Sequence, residues 1–151
     1  MPNWKKIDES WKNFASLKKV ELEHEERHLY AAKTDQYKLS FRKEYFVVSF
    51  IGKMNKANTE INTNKTVIEA VFSKPFIDEI RQVQKTFNFF RRKPNTPLGI
   101  LTAKFMDEYG CKKVEVQDSK VRIEFPFIFE ELIQFKFCET YLNELLESNK
   151  G

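Results

Sequence analysis

The chain has 151 residues, of which 41% are hydrophobic, and it carries a net charge of +4 at pH 7. This length predicts a single domain over residues 1–151, and fifteen Phe exclude an intrinsically disordered chain. No run approaches 18 apolar residues, which argues against a transmembrane segment, and the mild basicity permits an acidic partner such as nucleic acid.

Two cysteines, Cys111 and Cys138, occur without CxxC spacing. Two cysteines in a chain of this size do not make a disulfide framework. We therefore expect two buried thiols and a reducing, cytoplasmic location.

The first predicted element is an amphipathic helix within residues 1–19. Its apolar stripe recurs every three or four positions and consists of Trp4, Ile7, Trp11, Phe14 and Leu17. Two Trp on so short a helix must be buried, because each carries a large apolar area. The helix docks either on the protein's own core or, as a docking helix, on a partner or membrane surface.

The next segment reads HEERH from His24 to His28 and matches the pattern H-E-x-x-H. Over these five residues the chain resembles the zincin peptidases. The resemblance implies a helix whose i, i+4 spacing presents His24 and His28 to one zinc ion, with Glu25 as the general base of a zinc-dependent hydrolase.

Two features of the sequence argue against that zinc site. The chain has no third histidine, and the filler residues Glu26 and Arg27 are both charged. The alternative is a charged helix or a helix-to-strand junction. We therefore predict no cofactor and keep His24 and His28 as weak candidates for metal ligands.

Strand patterns follow. Tyr37, Leu39 and Phe41 alternate with polar residues, as on a half-buried strand. Residues 45–51 are apolar on both faces, which predicts a central strand covered twice, and residues 66–72 predict another strand.

Two helices are predicted next. The first begins near Ser73, and its stripe is Phe76, Ile80, Val83, Phe87 and Phe90. The second covers residues 98–109, because Thr96 is a good N-cap, Pro97 a good first residue and Gly110 a good helix terminator.

A basic-aromatic segment ends the first of these helices. Single-stranded nucleic acid is bound by cations beside an aromatic face. The residues that would do this are Lys85, Phe89, Arg91, Arg92 and Lys93.

The last third of the chain predicts a hairpin over residues 114–125, in which Val114 and Val116 alternate with charges. The final helix bears apolar stripes on two opposite sides, whereas a surface helix needs one. It is either sandwiched inside the domain or part of an interface.

The predicted fold is α+β, with a mainly antiparallel sheet of five or six strands and about four helices in the order α-β-β-β-β-α-α-β-β-α. The predicted function is a small non-enzymatic binding or assembly protein that works through protein–protein contacts, as a homodimer or a complex subunit. Nucleic-acid binding is the alternative and zinc-dependent hydrolysis the third. The predicted interface residues are Trp4, Trp11, Phe129, Ile133, Phe137 and Tyr141.

Overall fold

A computed structural model describes residues 3–29, 32–55, 64–83 and 96–149, with the backbone alone at residues 28, 29, 32 and 33. The helices in these ranges are α1 (Trp4–Leu17), α2 (Pro97–Tyr109) and α3 (Leu132–Ser148). The strands are β1 (Glu23–Leu29), β2 (Ala32–Arg42), β3 (Phe46–Asn55), β4 (Lys65–Phe72), β5 (Ile80–Val83), β6 (Lys113–Gln117) and β7 (Lys120–Phe125).

The strands form one sheet in the order β1-β2-β3-β4-β7-β6-β5. Every neighbouring pair is antiparallel. The prediction of an α+β fold with a mainly antiparallel sheet is confirmed. The counts differ, since the described ranges hold seven strands and three helices instead of five or six strands and four helices.

Helix α2 ends where its capping residues predicted. The Thr96 side chain accepts a hydrogen bond from the Gly99 N–H at 3.0 Å, which satisfies a donor that the first turn leaves open. Gly110 ends the helix with φ at +70°, a left-handed conformation that glycine adopts without strain.

The prediction of a helix that begins near Ser73 is wrong over residues 73–83, the part of it that the structure describes. Residues 80–83 form β5, and Ile80 lies opposite Val116 of β6. The spacing of Phe76 and Ile80 fits a helix, but Ile80 is buried on a strand paired with β6, and Phe76, before that strand, packs against Phe72. The predicted stripe residues Phe87 and Phe90 lie outside the described residues.

HEERH also does not form a helix. It lies on β1, at the edge of the sheet, where Glu26 is opposite Asp35 and Arg27 opposite Thr34. Charged side chains on both faces of an edge strand discourage pairing with a second chain. This arrangement accounts for five consecutive charged or titratable residues better than a zinc-binding helix does.

Helix α1 docks on the protein's own core. Trp11 is fully buried, and its indole N–H donates a hydrogen bond to the carbonyl oxygen of Phe129 at 3.0 Å. The Phe14 ring stacks on that of Phe135, with centroids 4.4 Å apart. Of the two alternatives for residues 1–19, the structure has the internal one.

Helix α3 lies between α1 and α2, and this position explains its two apolar stripes. One side meets α1 through Phe135. The other meets α2, where Tyr141 stacks on Phe105 at 4.1 Å and its hydroxyl forms a hydrogen bond with the Thr102 hydroxyl at 2.7 Å. Both sides of the helix therefore pack inside the fold, although Ile133 near its start is 51% exposed.

The described helices all pack on one face of the sheet. Strand β3 alternates between buried and more exposed positions along its length. The prediction that this strand is covered on both faces is wrong, because Val47 and Lys53 are exposed on the second face, where no described helix packs. We call this second face the uncovered face; within it, Val67 of β4 is buried.

Candidate binding surface

The uncovered face carries a row of four residues, one from each of four adjacent strands. Strand register places Arg42 opposite Val47, Val47 opposite Val71, and Val71 opposite Lys120. Residues that face each other across an antiparallel pair share one face of the sheet. We call this set the valine row: two valines at its centre and a cation at each end.

Both valines are accessible to solvent, with 43% of Val47 and 50% of Val71 exposed. Apolar residues that alternate along a strand usually point into a core. On β3 and β4 the inward positions are already filled by Phe46, Val48 and Phe72. The two valines are therefore apolar surface left over after the core has formed.

The rest of the face carries ion pairs, including two between strands β4 and β7 and one within strand β6. Arg122 Nη1 lies 2.9 Å from Glu69 Oε1, and Lys65 Nζ lies 3.4 Å from Glu124 Oε1. Glu115 accepts from Lys113 at 2.5 Å, which lowers the pKa of its carboxyl group. These pairs are solvent-exposed and contribute little to stability, but they fix the charge pattern of the face.

Four further cations point out of the same face. Within the ranges that the structure describes, no ion pair involves Lys38, Arg42, Lys53 or Lys120. The carboxylates of the face on β4, β6 and β7 each have a cationic partner. The uncovered face is therefore net positive, with Arg42 and Lys120 in the valine row and Lys38 and Lys53 further along strands β2 and β3.

A trough of about 580 Å³ runs over strands β4, β7 and β6 beside the valine row. Its outward-facing lining includes Val71, Glu69, Arg122, Glu115 and Lys120. The lining therefore combines an apolar side chain with both acidic and basic side chains. A partner in this trough can bury a methyl group and form salt bridges at the same time.

The six residues predicted as interface anchors have different positions. Trp11, Phe129 and Tyr141 are buried within the chain's own core, so in this fold they present no surface to a partner. Trp4 and Phe137 are half-buried, and Phe137 stacks on Tyr109 with centroids 4.1 Å apart. Only Ile133, at 51% exposed, keeps a large accessible surface among the six.

The predicted nucleic-acid residues Lys85, Phe89, Arg91, Arg92 and Lys93 lie outside the described residues. The structure neither joins them to the uncovered face nor separates them from it. That alternative stays a prediction from the sequence.

The predicted metal ligands do not come together as predicted. Four residues of extended strand separate the Cα atoms of His24 and His28 by about 13 Å, whereas the Cβ atoms of an i, i+4 helical pair lie about 6 Å apart. Glu25 points to the opposite face from His24, where Arg27 Nη2 lies 3.0 Å from it. The helical geometry behind the zinc-hydrolase prediction is absent.

His24 instead lies beside two other carboxylates. Its Nε2 atom is 3.8 Å from Asp35 Oδ1 and 3.9 Å from Glu26 Oε1. Asp35 stands on the neighbouring strand, so sequence spacing gave no signal for this cluster. Only strand register reveals it.

Both cysteines are buried, as predicted. Burial raises the pKa of the Cys111 thiol to about 12. It raises the pKa of Cys138 as well, and the neighbouring Cys111 adds to that effect. Both thiols are protonated at neutral pH, and a protonated buried thiol is a poor nucleophile.

We found no match for this chain among protein-family models, curated proteins or solved structures. In the part of the chain that the structure describes, none of the helices is both long and apolar enough to cross a membrane.

Proposed function

We propose that this chain is a non-enzymatic binding protein that docks an acidic protein partner on the uncovered face of its sheet. The observation that carries the proposal is the valine row, where Val47 and Val71 are exposed between Arg42 and Lys120. Exposed apolar side chains rimmed by charge mark protein interaction sites.

The size of the face suits such a partner. Seven strands at a spacing of about 4.8 Å make it about 29 Å wide. Strand β4 has eight residues, which at about 3.3 Å each extend about 26 Å. The resulting area of about 750 Å² is close to the ~800 Å² that each partner buries in a standard interface.

The charge of the face indicates an acidic partner. Lys38, Arg42, Lys53 and Lys120 supply the surplus positive charge, and charge complementarity favours an oppositely charged surface and speeds its association. Two copies of this chain placed face to face would bring the same cations together. The charge pattern therefore favours a different protein over a symmetric homodimer through this face.

Protein fits this face better than single-stranded nucleic acid. Non-specific binding of single strands relies on aromatic side chains that stack on bases. The described strand positions of the uncovered face bear valines, an isoleucine, hydroxyl and amide side chains and charges, but no aromatic residue. Ser40 and Ser49, at its centre, satisfy each other through a hydrogen bond of 2.7 Å.

The protonated thiols support a non-enzymatic role. A cysteine becomes a strong nucleophile when its pKa is depressed, and burial acts in the opposite direction on both cysteines of this chain. Cys111 and Cys138 are explained by packing in the core.

A fluorescent poly-glutamate peptide and a single-stranded oligonucleotide of equal charge test the proposal by fluorescence anisotropy. We expect the peptide to bind more tightly than the oligonucleotide, with an affinity that falls as salt rises. The double variant R42E/K120E should weaken peptide binding at least tenfold. The matched variant K136E, on the exposed side of α3, should bind as the unmodified protein does.

Two results would contradict the proposal. The first is peptide binding whose free energy R42E/K120E weakens by no more than twice the effect of K136E. The double variant changes the net charge by four units and K136E by two, so such a result would reflect net charge alone. The second is tighter binding of the oligonucleotide than of the peptide.

A further inference from the structure

At the β1 edge of the sheet, three potential metal ligands converge on the covered face. Asp35 of β2 lies opposite Glu26 of β1, and His24 lies two pairs further along, opposite Tyr37. The alternation of a strand puts His24 and Glu26 on the same side. One nitrogen and two carboxylate oxygens of these residues all lie within 4.8 Å of one another.

The two separations that involve His24 suit one metal ion, and the carboxylate oxygens of Glu26 and Asp35 lie within 4.8 Å of each other. Bonds from zinc to His nitrogen and carboxylate oxygen are about 2.0–2.2 Å long, so two ligands of one ion lie at most about 4.3 Å apart. The distances from His24 Nε2 to Asp35 Oδ1 and Glu26 Oε1, 3.8 and 3.9 Å, are within that limit. Small rotations of exposed side chains bring them closer to the ~3.4 Å of a tetrahedral site.

One of the three ligands is buried and two are partly exposed, which is the arrangement of a metal site that opens to solvent. The Asp35 side chain has no exposed surface, while the side chains of His24 and Glu26 are 36% and 45% exposed. A buried carboxylate forms the floor of the site, and the other two ligands close it from the solvent side. An ion held there by three protein ligands keeps positions open for water or another ligand.

The surroundings orient the imidazole and are negatively charged. The Tyr37 ring packs against His24 with centroids 4.6 Å apart, and its hydroxyl donates a hydrogen bond to Asp8. Lys12 Nζ lies 2.8 Å from Asp8 Oδ2 and offsets the charge of that carboxylate.

We propose that His24, Glu26 and Asp35 bind one divalent transition-metal ion. One imidazole and two carboxylates suit zinc and the neighbouring first-row metals. The site differs from the one that H-E-x-x-H implies, since it uses the first His and the second Glu of HEERH with an Asp from the next strand. It joins the edge strand β1 to β2 and is independent of the uncovered face.

Titration of the full-length, metal-free chain with zinc chloride in a calorimeter tests the site. We expect one ion per chain, and affinities at least tenfold weaker for H24N, E26Q and D35N. The matched variant H28N separates this site from the zincin arrangement, because it should bind zinc as tightly as the unmodified protein. Cobalt(II) should give visible absorption bands that H24N abolishes and H28N leaves unchanged.

Glu26 is half-exposed, so E26Q should fold normally, and circular dichroism without metal checks this. Zinc should raise the melting temperature of the unmodified protein and of H28N, and raise that of E26Q much less. Absence of stoichiometric zinc binding by the unmodified protein would overturn the proposal. A loss of affinity in H28N equal to that in H24N would also overturn it.

Discussion

The indole ring of Trp11 lies directly on the backbone of Gly52. A Cβ atom built at Gly52 would come within 2.7 Å of Trp11 Cζ2 and 2.5 Å of Ile128 Cδ1. The missing side chain on β3 therefore makes the space in which α1 and the segment before α3 meet the sheet. This contact explains why a Trp-bearing helix that resembles a partner-docking segment is buried in its own fold.

Replacing Gly52 by Ala should destabilise the protein. Overpacking of a filled core typically costs about 1–3 kcal/mol. Urea unfolding followed by circular dichroism measures the loss. Lys53→Ala, at the next and exposed position of the same strand, should change stability by no more than about 0.5 kcal/mol. Equal stabilities of Gly52→Ala and the unmodified protein would contradict the close Trp11 contact.

Glu139 joins three elements through one carboxylate oxygen. Lys18, just after α1, and Lys43, between β2 and β3, place their Nζ atoms 2.7 and 2.8 Å from Glu139 Oε2. Glu139→Gln would leave two ammonium groups facing each other without the charge that holds them. We expect a loss of about 1–3 kcal/mol in urea unfolding, because the carboxylate is largely buried.

The exposed pair Glu69–Arg122 provides the control for that prediction. Glu69→Gln removes a carboxylate of the same type from a solvated pair and should cost at most about 1 kcal/mol. A cost for Glu139→Gln no larger than for Glu69→Gln would show that burial adds nothing to the Glu139 contacts.

Because both cysteines are buried, we expect the free energy of unfolding to decrease as the pH rises above about 8.5. An unfolded thiol loses its proton near pH 8.5, whereas burial raises the folded pKa of Cys111 to about 12 and also raises that of Cys138. Above about pH 8.5 the unfolded state binds fewer protons than the folded state, so the free energy of unfolding decreases by up to about 1.4 kcal/mol per pH unit for each thiol.

Urea unfolding at pH 7 to pH 10 measures this loss. The variant C111A/C138A has a cost in packing that does not depend on pH, but its stability should fall less over the same range. Identical pH dependence in the two proteins would mean that the thiols titrate in the folded chain as they do when unfolded.

The charges of β1 should keep the sheet edge from pairing with a second chain. Replacing Glu25 and Arg27 by Val leaves an apolar β-branched edge with unpaired backbone groups. We expect this variant to self-associate with rising concentration in sedimentation velocity. The comparison is S40V/S49V, equally apolar but on the inner strands β2 and β3. Equal association of both variants would point to surface hydrophobicity instead of the edge.

Helix-capping residues and alternating apolar residues predicted those helices and strands whose ends are decided by residues close in sequence. Thr96 and Gly110 bound α2 because capping is decided within one turn, and the alternation around Val114 and Val121 predicted the β6–β7 hairpin. Ile80 and HEERH were wrongly read because strand pairing with distant residues determined their structure. The uncovered face could not be predicted, since Val47 and Val71 look like core residues until the position of the helices is known.

The cluster of His24 with Asp35 could not be predicted either, because it also depends on pairing between residues distant in sequence. Eleven positions separate the two residues in sequence, and they come together only through the register of β1 and β2. Sequence spacing indicated His28 instead, because a helix would bring positions 24 and 28 together.

Site-specific photo-crosslinking in cells tests the central claim, that an acidic protein docks on the uncovered face. A photoreactive amino acid is placed at Val47, at Val71 or, as a control, at Lys136 on α3. We expect the same discrete protein adduct from positions 47 and 71 and none from position 136. Mass spectrometry should identify an acidic protein in the adduct, and the adduct should be lost when R42E/K120E is added. An adduct from position 136 alone, or one from position 71 that R42E/K120E leaves unchanged, would contradict it.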